Sequence, residues 1–285
     1  MPSLIDIRRR IRSVKNTQQI TKAMKMVSAA KLRRAQERVV AARPYGAMLQ
    51  RVLSNVAAAA AGNEEIANSP LLKQRPEQRI QLIVFTSDRG LAGAFNGNLI
   101  KATQRFIAEH PSATIELELI GRKGRDFFRR RTIPISGDHI GLLNKPAYSD
   151  ASTIARKISE RFANDEIDSV YLIYNEFKSV IAQKLTVSKV LPVTAPAGEP
   201  VDYIFEQPVE QLMASLLPKY VDLQVYAAML ETTAAEHAAR MTAMDSATSN
   251  AAEVIDNLTL YMNRVRQASI TREIIEVVSG ASALE

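Results

Sequence analysis

Apolar residues recur at alternating intervals of three and four positions from Leu4 onward, the spacing of one face of a helix in a coiled coil. The pattern predicts one long N-terminal helix over residues 1–60. Pro44 interrupts this stretch, and because the spacing resumes in phase after it, we expect a kink there rather than an end. We call these positions the N-terminal seam: Leu4, Ile7, Ile11, Val14, Gln18, Thr21, Lys25, Ser28, Leu32, Ala35, Val39, Ala42, Gly46, Leu49, Leu53, Val56 and Ala60.

A second stretch, from Leu216 to Ser269, has the same spacing and predicts a long C-terminal helix in the segment 209–285. Pro218 is expected in its first turn, where the missing N–H has little effect. His237 lies on this seam and is interpreted as a packed, hydrogen-bonded residue rather than a metal ligand. The C-terminal seam comprises Leu216, Tyr220, Leu223, Ala227, Leu230, Ala234, His237, Met241, Met244, Thr248, Ala251, Ile255, Leu258, Met262, Val265 and Ser269.

Between the two helices the pattern changes to short apolar runs that alternate with amphipathic helical segments. This alternation predicts an α/β (Rossmann-like) domain with mostly parallel strands over residues 61–208, including a Pro-rich linker at 195–208. The predicted strands are 79–87, 114–121, 132–136, 169–177 and 182–193, and the predicted helices are 98–110, one starting at 122, and 150–165.

Charge separates the two terminal segments. Residues 1–43 hold 12 Lys/Arg against two acidic residues, a net of +10, whereas residues 209–285 hold 5 Lys/Arg against 10 Asp/Glu, a net of −5. Either the two ends pair with each other, or each pairs with an outside partner. Because neither helix can bury its seam alone in water, the simplest arrangement is an antiparallel coiled coil of the two.

Composition excludes several classes of protein. Cysteine is absent, which excludes disulfides and thiol catalysis, and the three histidines show no metal-ligand spacing. No apolar run is long enough to cross a bilayer, and the first ten residues lack the apolar core of a signal peptide. We therefore expect a cytoplasmic protein with no metal and no cofactor.

Two motifs have a functional and a structural interpretation. The glycine-rich stretch Ser87–Asn98 follows a strand and precedes a helix, but it lacks a phosphate-binding glycine pattern and a following lysine, so a tight turn is favoured over a nucleotide site. The arginine runs Arg8–Arg10 and Arg129–Arg131 are interpreted as solvated or protein-contacting rather than nucleic-acid-binding, since tryptophan is absent and aromatic content is 6%. No catalytic set of residues emerges.

Four blocks together resemble the gamma-subunit family of bacterial F-type ATP synthases. They are the basic helix at 16–36 (NTQQITKAMKMVSAAKLRRAQ), the central TSDRGLAGAFNGN, RMTAMDSATSNA at 240–251 and ITREIIEVVSGASAL at 270–284. The resemblance runs over essentially the whole chain, and its terminal blocks are the most specific.

This resemblance implies a rotor. In the family, the terminal helices form an asymmetric coiled coil inside a ring of three alpha and three beta subunits, and the central domain rests on the c-subunit ring beside epsilon. The chain would be a non-catalytic, peripheral subunit at the cytoplasmic face of the cell membrane, touching the membrane only through the c ring. Polar seam positions such as Thr21 and Lys25 are interpreted as a stretch that leaves the partner helix and meets the surrounding ring.

Residue roles follow from the resemblance by position. Met24 corresponds to a family methionine near a beta-subunit loop, and Arg240, Gln267 and Thr271 correspond to the C-terminal set coupled to it in torque transmission. Lys25 belongs to the same contact but departs from family members that carry an acidic residue there, which implies a contact of different sign.

Further contacts are expected from charge and position. Arg8, Arg9 and Lys15 are expected to contact beta electrostatically, and Glu206 is expected where the foot approaches the c ring and epsilon. The alternative, a nucleic-acid-binding or scaffold protein with a long basic coiled coil, would require the C-terminal block to be a coincidence.

Overall fold

The computed structural model describes residues 3–59, 69–194 and 207–282. Two long helices, α1 at Leu4–Ala59 and α5 at Val209–Ser282, flank an α/β segment in the sequence. Between them lie, in chain order, β1 Arg79–Phe85, α2 Phe95–Glu109, β2 Thr114–Ile120, α3 Arg122–Phe128, β3 Ile135–His139, a short 3-10 helix Leu142–Asn144, α4 Tyr148–Ala163, β4 Ser169–Phe177 and β5 Gln183–Leu191.

The five strands form one sheet in the order β3-β2-β1-β4-β5. The first four are parallel and β5 is antiparallel to β4, which confirms the predicted α/β domain with mostly parallel pairing. β3 begins three residues later than predicted, because Pro134 has no N–H and contributes only its carbonyl, which accepts from the N–H of Leu117 at 2.9 Å. Residues 195–206 of the predicted linker lie outside the described residues.

The described residues fall into two compact units, residues 3–28 with 241–282, and the described residues between 29 and 240. The larger unit contains the sheet and its own portions of both long helices. None of the described helices has the length and apolar content that crossing a bilayer requires. The three-part division at residues 60 and 208 stays a prediction.

The core of the larger unit lies where one face of the sheet meets α4 and α5. Ile83 and Phe85, alternate residues of β1, belong to this core and are fully buried. All positions of β1 after the first are buried, as expected for a central parallel strand that is covered on both faces. The core also takes in Leu53 and Val56 from the C-terminal end of α1.

Helix α5 buries more than its predicted seam. A second apolar row at Met213, Leu217, Val221 and Val225 has a spacing of four residues and packs into the core beside the sheet. Further along α5, every residue from 228 to 236 is buried. The seam spacing predicted only one of the two faces, because residues of both faces alternate along this helix and mask each other's periodicity.

Both prolines of the long helices lie inside them. α1 continues through Pro44, which confirms that the helix does not end there. The prediction that Pro218 lies in the first turn of α5 was wrong: N–H groups of Gln211 and Leu212 bond the carbonyl of Pro208, so the helix begins at Val209, more than two turns earlier. Both prolines are exposed, so water can bond the carbonyls that lack a helical partner.

A buried carboxylate near the edge of the sheet lies at the centre of a charged network. Glu118 of β2 is fully buried, and its carboxylate accepts from Lys157 of α4 at 3.2 Å and from Ser136 at 2.9 Å, and bonds His139 Nε2 at 2.7 Å. Burial by itself would raise the pKa of Glu118, but the hydrogen bonds of His139 and Ser136 and the charge of Lys157 outweigh it and lower the pKa to about 2. The network therefore stabilises the fold through an ionised carboxylate.

We expect Glu118→Gln to lower the free energy of unfolding at neutral pH by roughly 3 kcal/mol, because folding lowers the pKa of Glu118 from 4.5 to about 2. Since the folded pKa lies below the unfolded value of 4.5, this stability is present above pH 4.5 and is lost as the pH falls towards 2. Urea unfolding at about pH 7 and about pH 3 should show the difference between the two proteins shrinking at the lower pH. The exposed Glu109→Gln is the matched control, and an equal loss for Glu118→Gln at both pH values would contradict the charge argument.

Gly121 fixes the point where the carboxyl ends of β1 and β2 meet. Its φ is +100°, and a Cβ there would lie 1.9 Å from the carbonyl oxygen of Thr86. Both the backbone angle and the contact require glycine, because the neighbour is backbone and cannot turn away. The glycine-rich stretch begins directly after Thr86, so this contact sets its position.

Gly121→Ala should therefore cost several kcal/mol of stability, whereas Gly97→Ala should be neutral or stabilising by about 0.5–1 kcal/mol. Gly97 lies in the first turn of α2 and a Cβ there would meet nothing within 4 Å. Thermal unfolding of the two variants beside the wild type provides the comparison. Equal melting temperatures for the two alanine variants would be the contrary result.

Candidate interaction surface of the long helices

In the smaller unit, the beginning of α1 lies antiparallel to the end of α5. The hydroxyls of Thr21 and Thr248 are 2.8 Å apart, and Lys25 Nζ donates to Asp245 Oδ1 at 2.5 Å. Rising numbers on α1 thus meet falling numbers on α5, which confirms the predicted antiparallel pairing. The Lys25–Asp245 pair also joins the basic segment to the acidic one, as their charges suggested.

The predicted seam is the face that becomes buried. Ile7, Thr21 and Ser28 are buried, and the other N-terminal seam residues up to Lys25 are half-buried, while Met24 is the one further residue between 4 and 28 that is not exposed. The interpretation that Thr21 and Lys25 leave the partner helix was wrong. Their side chains bond α5 directly, because a hydroxyl pair and an ion pair can fill seam positions in place of apolar contacts.

The outward faces of the smaller unit carry both cations and large apolar side chains. Arg8, Arg9 and Lys15 are exposed, and among the described residues only Arg9 of these three has an ion pair, a 4.0 Å contact with Asp6. Gln267 and Thr271 are exposed on α5, as is every residue from 270 to 279. The apolar side chains that stand out from this surface include Ile20, Met26, Val27, Ile270, Ile274, Ile275, Val277 and Val278.

Arg240 occupies a different environment in the larger unit, because it is 7% exposed and directed into its own chain. Its guanidinium donates to Glu236 at 2.5 Å, and lies 3.4 Å from the carbonyl of Gly90 and 3.5 Å from that of Arg89. His237 is half-buried beside it, and burial together with the nearby positive charges lowers the pKa of His237 to about 4. The imidazole is therefore neutral at physiological pH.

The polar groups of the glycine-rich stretch form hydrogen bonds within the chain. Ser87 N–H donates to Asn96 Oδ1 at 2.9 Å, and the Ser87 hydroxyl donates to the carbonyl of Arg89. The carboxylate of Asp88 accepts from the N–H of Arg122 and from the N–H of Gly141, each at 3.0 Å. This carboxylate supplies negative charge where a phosphate would need positive groups, which supports the prediction of a structural turn.

Two charged contacts of α5 were missing from the sequence analysis. Arg43 of α1 bonds Glu231 through Nε at 3.0 Å and Nη2 at 2.9 Å, and Glu231 is 9% exposed. Glu236 and Arg240 form the second contact, and their spacing of four residues is a signal readable in the sequence. The Arg43–Glu231 pair has no such signal, because it depends on the register between two distant helices.

Glu206, the residue predicted to contact the c ring and epsilon, lies outside the described residues. Within residues 3–59, 69–194 and 207–282, no three His, Asp or Glu side chains are grouped so that they could hold a metal ion.

The similarity to known proteins extends over the whole chain. A family model described as ATP synthase matches residues 3–284. The ATP synthase gamma chain of Solibacter usitatus is 68% identical over 286 residues, with 100% of both chains covered. The ATP synthase gamma chain of Desulfitobacterium hafniense is 51% identical, again with both chains covered completely.

Solved structures agree with these relatives. A structure of the central stalk and c-ring of the Tetrahymena thermophila mitochondrial ATP synthase contains a chain that is 25% identical, with a TM-score of 0.60 over 80% of this chain and 99% of that one. A chain of the Euglena gracilis mitochondrial ATP synthase, at 18% identity and a TM-score of 0.66, shares the fold over 99% of this chain and 94% of its own. The chain described here therefore belongs to the ATP synthase gamma chain family.

Proposed function

We propose that this chain is the rotating central stalk of a proton-translocating ATP synthase and couples turning of the c ring to conformational change at the catalytic sites of the beta subunits. The observation that carries the proposal is the full-length match to ATP synthase gamma chains at 68% identity. Fold alone would not suffice, because one fold serves many functions. Here the paired terminal helices and the α/β domain match a central-stalk structure as well.

The proposed partners follow from that role. We infer three alpha and three beta subunits around the helix pair, and epsilon and the c ring at the α/β domain, with Glu206 contributing to the contact there. The subunit is peripheral, lies at the cytoplasmic face of the cell membrane and reaches the membrane only through the c ring. It needs no cofactor, metal or nucleic acid, and ATP is made on other subunits.

The mixed surface of the smaller unit suits a shaft that must turn. An ion pair between exposed groups contributes about 0.2–1 kcal/mol, which is comparable to thermal energy, so a cation such as Arg8 or Lys15 can contact an acidic loop of one beta subunit and release it for the next. A tightly matching apolar face would bind one wall too strongly. On α1, large apolar residues such as Ile20 stand among cations, which limits each contact area, whereas the exposed apolar residues near the end of α5 lie close together.

We infer direct contact with beta for four residues of the smaller unit: Met24, Lys25, Gln267 and Thr271. Arg240 is buried against its own turn, so we infer that it acts by holding that turn in position.

The alternative of a nucleic-acid-binding coiled coil finds no support in the relatives, which are ATP synthase gamma chains over their full length. The basic face of α1 then serves protein contacts, as the low aromatic content already indicated.

Replacing Met24 with lysine tests the coupling surface. In an assembled complex, we expect ATP hydrolysis to persist while proton pumping per ATP falls, because a new cation would gain a charge-assisted hydrogen bond of about 1.5–3 kcal/mol with a passing acidic loop. Each rotation step would have to break that bond. Changes at Arg240, Gln267 or Thr271 should restore part of the coupling. The measurement is ATP-driven proton uptake by inverted membrane vesicles, divided by the rate of ATP hydrolysis.

Met24→Leu is the matched control, because leucine keeps an apolar side chain of similar volume at the same position and adds no charge. Its pumping ratio should stay close to that of the wild type. An unchanged ratio for Met24→Lys would remove Met24 from the mechanism. Failure of the wild-type chain to assemble with alpha and beta would overturn the proposed function itself.

The purified chain should bind neither ATP nor ADP at micromolar concentration. The polar groups of the glycine-rich stretch are bonded within the chain, and the Asp88 carboxylate would repel a phosphate. Isothermal titration calorimetry with the magnesium nucleotide should give no binding heat, with an assembled alpha–beta complex as the positive control. Saturable micromolar binding that Asp88→Asn altered would identify a nucleotide site in this turn.

A further inference from the structure

Three elements of the larger unit meet at one residue, Phe177. Arg43 of α1 donates through Nη2 to the carbonyl of Phe177 at 2.8 Å, and Glu231 of α5 accepts from the N–H of Phe177 at 2.9 Å. Arg43 and Glu231 also bond each other at 2.9–3.2 Å. The last residue of β4 is thus bonded on both its N–H and C=O sides by an ion pair that links the two long helices. We call this arrangement the Phe177 joint.

Phe177 is well placed to transfer force to the sheet. It ends β4 and pairs with Gln183 of β5, and its own side chain is buried. Displacement of Phe177 would therefore disturb the pairing of β4 with β5 directly, and through β4 it would reach β1, which pairs with β4 as far as Ile173. A force applied to Phe177 by the helices thus acts on the sheet and not on a loose loop.

The apolar contact between α5 and the sheet holds the two together but does not fix their mutual angle by itself. The row at Met213, Leu217, Val221 and Val225 supplies a broad apolar surface. Hydrophobic attraction is non-directional, so such a surface resists separation more strongly than small rotations or slides. A bidentate charge-assisted hydrogen bond has a defined geometry and resists those displacements directly.

The second polar contact between α5 and the α/β segment is weaker. Arg240 reaches the carbonyls of Arg89 and Gly90 at 3.5 and 3.4 Å, near the limit of hydrogen bonding. The bonds of the Phe177 joint are all between 2.8 and 3.2 Å. The Phe177 joint is consequently the stiffer of the two.

We propose that Glu231 is a positioning residue of the rotor: through the Phe177 joint it fixes the angle of the α/β domain on the helix pair, so that turning force passes between them with little elastic loss. The inference rests on the proposed function, because a fixed angle matters for coupling only if the chain is a rotating stalk. Glu231 contacts no substrate and acts through Arg43 and Phe177.

The test compares Glu231→Gln with the wild type in the assembled complex. Glutamine keeps the shape and an acceptor for the Phe177 N–H but removes the charge. Since charge-assisted hydrogen bonds are roughly twice as strong as neutral ones, the angular variance between domain and helices should about double. Spin labels on Lys101 of α2 and Lys219 of α5 report it as a broader distance distribution, and the chain's lack of cysteine allows cysteines to be introduced there alone.

Coupling provides the second measurement. Proton pumping per ATP in vesicles should fall for Glu231→Gln, most clearly against an opposing proton gradient, while ATP hydrolysis persists. In the double variant with Arg43→Gln the loss should be no greater than in either single variant, because both remove the same joint.

Asp168→Asn is the matched control. Asp168 pairs with Arg79 at 2.8 Å, accepts from two backbone N–H groups and is as buried as Glu231, but this pair joins only parts of the α/β domain to each other. It should lower the melting temperature by a similar amount and leave the distance distribution and the pumping ratio unchanged.

Equal broadening in both variants would reduce Glu231 to a stabilising residue, and unchanged width and pumping in Glu231→Gln would overturn the proposal. In either case the wild-type complex must pump protons in the same vesicles. If it does, the proposed function stands and only the role of Glu231 fails.

Discussion

The two long helices depend on burying apolar rows that neither can cover alone. In water an isolated helix gains little from its own hydrogen bonds, so α1 and α5 persist because each supplies the surface that the other lacks. α5 buries more of its surface than α1, since between residues 213 and 240 it packs against α1 on one face and against the sheet on the other. The burial of every residue from 228 to 236 follows from this double contact.

Close approach on two sides leaves little room for unpaired charge, and the structure satisfies the buried charges in pairs. Glu231 bonds Arg43 and the N–H of Phe177, Glu236 bonds Arg240, and Glu118 bonds side chains from β1, β3 and α4. Such pairs gain less than their Coulomb energy suggests, because each ion loses its hydration. Their directional bonds nevertheless define how the elements are oriented, which apolar packing does only loosely.

The smaller unit depends less on apolar packing than the larger one. Its seam is partly polar, with Thr21 bonded to Thr248 and Lys25 to Asp245, and its outer faces carry both cations and exposed large apolar residues. A surface of this kind gives many contacts of small energy rather than one strong contact. That property is compatible with a shaft that meets several similar surfaces in turn, whereas the densely packed larger unit is suited to transfer force without deforming.

The sequence by itself determined the elements, the seam of α1 and the antiparallel pairing, because these depend on local spacing and on the need to cover two apolar rows. The positions from Leu4 to Val56 predicted as inward are all buried or half-buried. The family could also be recognised from short blocks of residues.

Only the tertiary structure decided which polar groups meet: that Lys25 is bonded to Asp245, that Arg240 faces its own glycine-rich turn, and that Arg43 and Glu231 meet at Phe177. Residues so far apart in the chain are brought together by the register of the two helices and by the packing of the sheet against them. Neither can be predicted from the local spacing of residues. The start of α5 well before Pro218 and the second apolar row likewise depended on contacts with the sheet, because an exposed proline is tolerated inside a helix that packing holds in place.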